Sequence, residues 1–404
     1  MRVIPLVQAA AGAIPSGTAA AALTTLPPLA LYIHYPWCVR KCPYCDFNSH
    51  EAKGGTLNIP EEDYLDALIA DLEAALPQIW GRRIVSLFIG GGTPSLISAR
   101  GLDKLLAALR ARLVLLPDAE ITLEANPGTV EAAKFAAFRD SGINRISLGI
   151  QSFDDRHLVA LGRIHTALEA RRAIDLALRH FERVNLDLIY ALPLQSLAEA
   201  QQDVATALAC GVSHVSAYHL TLEPNTPFHH SPPPLPDDDL AADMQEMIEA
   251  TLIGAAFEHY ETSAFAQAGQ RCLHNLNYWH FGDYLGIGAG AHGKISSPTG
   301  IVRESRRKHP HDYLAALSGG DFVSERKLIG AKQLPIEFMM NALRLNEGFP
   351  LALFAERTGL PAAAVSDQLL QAQRLGLLDV DGLRAAPTAR GRRFLNDLLQ
   401  LFLA

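Results

Sequence analysis

Cysteine is scarce in this chain: there are five in 404 residues, and three of them fall between positions 38 and 45. Thiols distributed in this way cannot make the framework of a disulfide-stapled secreted fold, so the chain reads as a cytoplasmic protein whose thiols are free to meet a metal. Long apolar runs are also missing, and none reaches the roughly 18 residues of a membrane-spanning helix. Residues 1–28 begin with Arg2 and an apolar stretch. Pro5, Pro15, Ser16, Gly17 and the run Thr24-Thr25-Leu26-Pro27-Pro28 interrupt it, so it reads as a flexible leader and not as a signal peptide. Positive charge is in deficit, with 35 Lys and Arg against 43 Asp and Glu, which removes any general attraction for nucleic acid. With 49% hydrophobic residues the chain has material for a large core and a second, smaller domain, and small-molecule chemistry is the default expectation.

Short β-branched or aromatic runs recur, each followed by a segment of helical period: LALYIHY at 29, IVSLFIG at 84, EITLEA at 120, RISLGIQ at 145, VNLDLIYAL at 184 and HVSAYHLTL at 214. Tyr64, Leu65, Leu68, Ile69, Leu72 and Leu76 mark one helical face, and Thr166 with Glu169 forms a capping box for a helix to about Arg179. Such alternation predicts a parallel sheet with crossover helices. The polar and glycine-rich residues cluster just after the strands, on the rim that carries active sites in β/α barrels. The Pro-rich stretch at 227–239 reads as a surface connection, followed by a helix and then a loop, RCLHNLNYWHFGDYLGIGAGAHG. From about Glu325 two amphipathic helical segments, a turn near Gly359-Leu360-Pro361, a helix to Leu375 and a hairpin resemble a winged helix. The nearly balanced charges of this part favour packing or docking over DNA contact.

Cys38, Cys42 and Cys45 follow the spacing Cys-x3-Cys-x2-Cys. A structural zinc site wants four ligands, which here requires His34 or His50 to join; a thioredoxin-like pair uses only Cys42 and Cys45 and leaves Cys38 idle. Three thiolates instead suit a 4Fe-4S cluster with one iron open to an outside ligand. Gly90-Gly91-Gly92-Thr93-Pro94 reads either as a tight turn or as a stretch where backbone approaches a bound group without a Cβ in the way.

With the strand before it and Tyr44 ahead of the last cysteine, this segment resembles the radical S-adenosylmethionine (SAM) superfamily. From about Leu29 onward the motifs LYIHYPWC, GGGTPS, LEANP, GIQSF, NLDLIYALP and AYHLTLEPNTPF resemble the oxygen-independent coproporphyrinogen III oxidase (dehydrogenase) family. The resemblance implies a partial (β/α)6 TIM-like barrel at 29–226, a linker with a heme-associated segment at 227–324 and a winged-helix-like, α-rich domain at 325–404. It implies that Tyr32, Gly91 and Glu124 face cluster-bound SAM. It further implies that Tyr44, Gly92, Thr93, Gln151, Arg163, Asp187 and Ala217 line a neighbouring site for a second SAM. Where those enzymes have a further cysteine this chain has Phe47, and His274-Asn275-Leu276-Asn277-Tyr278-Trp279 matches a motif of the HemW-type heme-chaperone branch. That branch implies heme bound through His274 and delivered to apo-hemoproteins, including those of the respiratory chain, with transient membrane-surface contact and a homodimer both compatible. The rival expectation is coproporphyrinogen III dehydrogenation in porphyrin biosynthesis, with a radical methyltransferase as a remote third. Cys272 reads as a buried thiol and Cys210 as structural.

Overall fold

The computed structural model describes residues 23, 25–129 and 132–403. The leader expected over 1–28 therefore lies largely outside the described residues; at its end the Pro27 carbonyl accepts from the Arg82 guanidinium at 2.5 Å and the Pro28 carbonyl from the Asp283 N–H at 2.9 Å.

The predicted strands form as β1 (Leu29–Tyr35), β2 (Arg83–Gly91), β3 (Val114–Ala125), β4 (Arg145–Gln151), β5 (Arg183–Tyr190) and β6 (His214–His219). They pair in parallel in sequence order. Between them run α1 (Glu61–Ile79), α2 (Ala99–Arg112), α3 (Ala132–Ser141), α4 (Ala167–His180) and α5 (Leu197–Ala209). Tyr64, Leu65, Leu68 and Leu72 are buried on the expected face of α1, and the Thr166–Glu169 capping box opens α4.

The sheet does not stop at six strands. The stretch read as linker and loop adds β7 (Glu258–Glu261) and β8 (Ala264–Ala266) beyond β6, while β9 (Asp283–Ile287) pairs in parallel with β1 on the opposite side. Antiparallel β10 (His292–Ser297), β11 (Gly300–Arg306) and β12 (Val323–Leu328) follow, giving a 12-stranded sheet in the order β12-β11-β10-β9-β1-β2-β3-β4-β5-β6-β8-β7. Helices α6 (Asp238–Gly254) and α7 (Leu273–Trp279) lie in the same stretch, so the segment around His274 is helical and not a loop. Neither α7 nor β9 is long enough to show its own period, and the glycines at 282, 286, 288 and 290 disguise the strand.

From Leu334 the chain builds α8 (Leu334–Ala342), α9 (Leu351–Thr358) and α10 (Ser366–Arg374) with a small sheet of β13 (Phe349–Pro350), β14 (Leu378–Val380) and β15 (Arg384–Pro387). The β14–β15 hairpin and the left-handed Gly359 at the α9 terminus agree with the winged-helix-like reading, although Val323–Leu328 is a strand where a helix was expected. This part has its own core around Phe338, Phe349 and Phe354, into which Phe281 and Ile301 also insert.

Strand periodicity sorts the barrel residues onto two faces. Leu31, Ile33, Leu87, Ile89, Leu123, Leu148, Leu186 and Val215 pack into the helix-side core. The alternate residues, among them Tyr32, Ser86, Glu120, Glu124, Arg145, Asn185, Asp187 and His214, point into the hollow. There the Glu120 carboxylate lies 3.0 Å from Arg183 and 3.9 Å from Arg145 and accepts the Leu273 and His274 N–H groups at 3.2 and 3.1 Å. Burial opposes its charge, but these partners outweigh it and hold the carboxyl below its ordinary value. Glu120 thus anchors the start of α7 inside the barrel. Glu120→Ala, which leaves buried Arg145 without its nearest carboxylate, is expected to destabilise the fold by about 3–5 kcal/mol, read as a lower denaturant midpoint.

Candidate cofactor site and adjoining cleft

Eleven of the residues singled out in the sequence line one cavity of about 330 Å³ at the C-terminal ends of the strands: Cys38, Cys42, Tyr44, Cys45, Gly91, Gly92, Thr93, Glu124, Gln151, Arg163 and Asp187. The cysteines ride on the loop that leaves β1.

The glycine run is pinned against this loop. Gly92 and Thr93 donate backbone N–H bonds to the carbonyls of Tyr35 and Trp37 at 2.7 and 2.8 Å. Gly91 has φ +120°, and a Cβ there would stand 2.7 Å from the His34 ring; one on Gly92 would stand 2.6 Å from the Trp37 carbonyl oxygen. Substitution is opposed by conformation and space at Gly91 and by space at Gly92.

Arg163 reaches across the cavity floor. Its guanidinium donates to Asn126 Oδ1 at 2.6 Å and the Gly149 carbonyl at 2.7 Å, and lies 3.7 Å from Cys42 Sγ, while its Nε has no partner. Asn126, which also donates to Thr93 Oγ1 at 2.9 Å, was not singled out in the sequence, although LEANP held it; Ser147 and Tyr218 were missed as well. Gln151 ends β4 with φ +69°, a conformation a side-chain-bearing residue keeps only where its surroundings impose it.

Two carboxyls share the hollow without a cation in contact among the described residues. Asp187 accepts from Ser147 at 2.8 Å and Asn185 at 2.9 Å, and burial raises its pKa. Glu124 accepts only the Gly91 N–H, at 3.1 Å; burial and the charge of Asp187 push it up to about 8. Its neutral form is thereby favoured near pH 7.

Ala217 turns its side chain into the helix-side core, and its N–H is taken by the Ser263 carbonyl at 2.8 Å, so only its carbonyl edge is left to reach a ligand. Tyr32 lies behind the cavity, its hydroxyl 3.0 Å from His34 Nδ1, and faces a second, larger space. This cleft of about 870 Å³ shares Cys45, Phe47, Gly91 and Glu124 with the smaller cavity and extends past Tyr278 and Trp279 to Met340 of α8.

His274, expected to present its imidazole to heme, lines neither space. It is buried in the hollow, stacked on Phe88, with Nδ1 3.0 Å from Ser86 Oγ and Nε2 3.0 Å from the Tyr278 hydroxyl. Both nitrogens are engaged, and burial lowers its pKa to about 3. Its helix is fixed at this same first turn by Glu120, so the ring that reaches the cleft belongs to Tyr278 and not to His274. Cys272 is buried at 3.4 Å from Glu120, its thiol pushed up to about 12 by burial.

Family models described as Radical SAM superfamily and HemN C-terminal domain match residues 32–207 and 330–394. The chain is 48% identical over 387 residues to heme chaperone HemW of Escherichia coli strain K12, covering 95% of this chain and all of that protein. It is 49% identical to heme chaperone HemW of Haemophilus influenzae, covering 94% and 98%. In fold it matches the solved structure of coproporphyrinogen III oxidase (HemN) of Escherichia coli with a TM-score of 0.80 at 22% identity, over 94% of this chain and 91% of that one.

The state of Glu124 is measurable through ligand binding. Because its pKa of about 8 lies above neutrality, capture of a cationic sulfonium ligand at pH 7 is expected to release a proton, and to release none once the pH is well above that value. Calorimetric SAM binding to cluster-loaded protein should therefore depend on buffer ionisation enthalpy at pH 7, and Glu124→Gln should lower the number of protons released, leaving only the contribution of the ligand's own amine.

Proposed function

The chain belongs to the HemW family of heme chaperones, and on that premise we propose that it captures heme and delivers it to apo-hemoproteins while carrying a 4Fe-4S cluster and SAM. Cys38, Cys42 and Cys45 hold the cluster, which when bound supplies the electron for reductive cleavage of the sulfonium. Gly91 and Gly92 let the backbone meet the methionine end of SAM, Glu124 balances its positive charge, and Arg163, Gln151 and Asp187 line the adjoining part of the cavity.

The observation that carries this reading is the second cleft. A space of about 870 Å³ opens beside the cluster loop, at the large end of the range for ligand sites, and is walled by Tyr278 and Trp279. Phe47, 61% exposed, stands on the wall shared with the cofactor cavity, where the dehydrogenases are expected to have a cysteine. His274 serves here as a positioning residue that holds the Tyr278 hydroxyl. Among the described residues no helix is long and apolar enough to cross a membrane. Acceptors of the respiratory chain would be met from the cytoplasm by surface contact.

The test is anaerobic reconstitution followed by two assays on one sample. Heme titration is expected to give a shifted Soret band and transfer to an apo-hemoprotein, while coproporphyrinogen III stays unchanged. Formation of vinyl product at a useful rate would overturn the reading in favour of the dehydrogenase. Cys42→Ala should lose most of its iron and sulfide; a full complement would remove the cluster from the account.

A further inference from the structure

Three histidines line the large cleft, and their surroundings differ. Both nitrogens of His34 are in use, 3.0 Å from the Tyr32 hydroxyl and 2.9 Å from the Asn48 carbonyl oxygen. His50 packs edge-on against His309 with ring centroids 5.2 Å apart, and its Nε2 is shut away from solvent. His292 alone among these three is exposed, and its imidazole has no hydrogen-bond partner among the described residues.

Strand geometry aims it. His292 opens β10 and is two positions from Lys294, so both share one face, which is the cleft face. Lys294 is spent on Asp283 at 3.0 Å, and Arg303 from β11 on Glu337 and Tyr284. Burial, Lys308 and Arg303 keep the His292 pKa below its ordinary value, so the ring is neutral and has a lone pair to offer.

The rest of the cleft suits the same guest. Tyr278 and Trp279 provide aromatic wall, with the Arg344 guanidinium 4.4 Å over the Trp279 ring. Lys41 touches only the carbonyls of Phe47 and Ser49, both at 3.1 Å, and among the described residues neither Lys41 nor Lys308 has a carboxylate partner. A flat aromatic guest with an iron at its centre and two carboxylates at its edge needs these features: one free imidazole, an apolar wall and unpaired cations.

We infer that heme sits in this cleft with His292 as its axial protein ligand and Lys41 and Lys308 facing its propionates, His274 standing outside the coordination shell. The inference rests on the chaperone reading and names the heme site within it.

The test is titration of the anaerobically reconstituted full chain with hemin, followed by absorption and electron paramagnetic resonance. His292→Ala is expected to lose the imidazole-ligated signature and bind about tenfold or more weakly, and added imidazole should restore that signature in His292→Gly. His274→Ala should keep axial imidazole ligation whatever its affinity. Lys41→Ala with Lys308→Ala should weaken binding without changing the ligation signature. A His292→Ala protein with wild-type spectrum and affinity would overturn the assignment, as would loss of the signature in His50→Ala or His274→Ala instead. Wild-type protein that binds no heme would remove the chaperone reading and this site together.

Discussion

The hollow of the half-barrel is the constraint on which the rest depends. Its strands give their apolar residues to the helices and turn ionisable ones inward, and a buried charge persists only where partners are built around it. At the N-terminal ends of the strands the balance is complete: Glu120 has Arg145, Arg183 and the first N–H groups of α7. At the C-terminal ends it is left incomplete. Glu124 and Asp187 have hydrogen bonds and no cation in contact, and burial holds Glu124 as a neutral acid near pH 7. The paired layer makes a floor; the other layer leaves two buried carboxyls lining the cavity.

The two spaces above that floor share a wall. Cys45 and Phe47 lie on one loop and face both cavities, and Gly91 and Glu124 do the same from the strands. The extension β9–β11 completes the cleft, because its inward face carries Tyr284, His292, Lys294 and Arg303 opposite the cluster loop. Without those strands the cavity would be an open barrel mouth.

Much of this was legible in the chain. The cysteine spacing, the glycine run after β2 and the six-fold alternation of strand and helix rest on local chemistry and local period, and the cavity gathers the residues those motifs named. The boundary at 227–324 was less so. Connections and short elements there look alike in sequence, since α7 and β9 owe their form to a capping carboxylate and a neighbouring strand and not to their own period.

The cysteine spacing, the succession of parallel strands and the kinship with heme chaperones are each written in neighbouring residues. Which histidine lines the cleft depends on contacts distant in the chain. Glu120 fixes α7 from 154 positions away and turns His274 to Ser86 and Tyr278, whereas the pleat of β10 turns His292 outward into open space. No periodicity within HNLNYW records that carboxylate, so the motif marks the helix beside the cleft and not the direction in which its imidazole points.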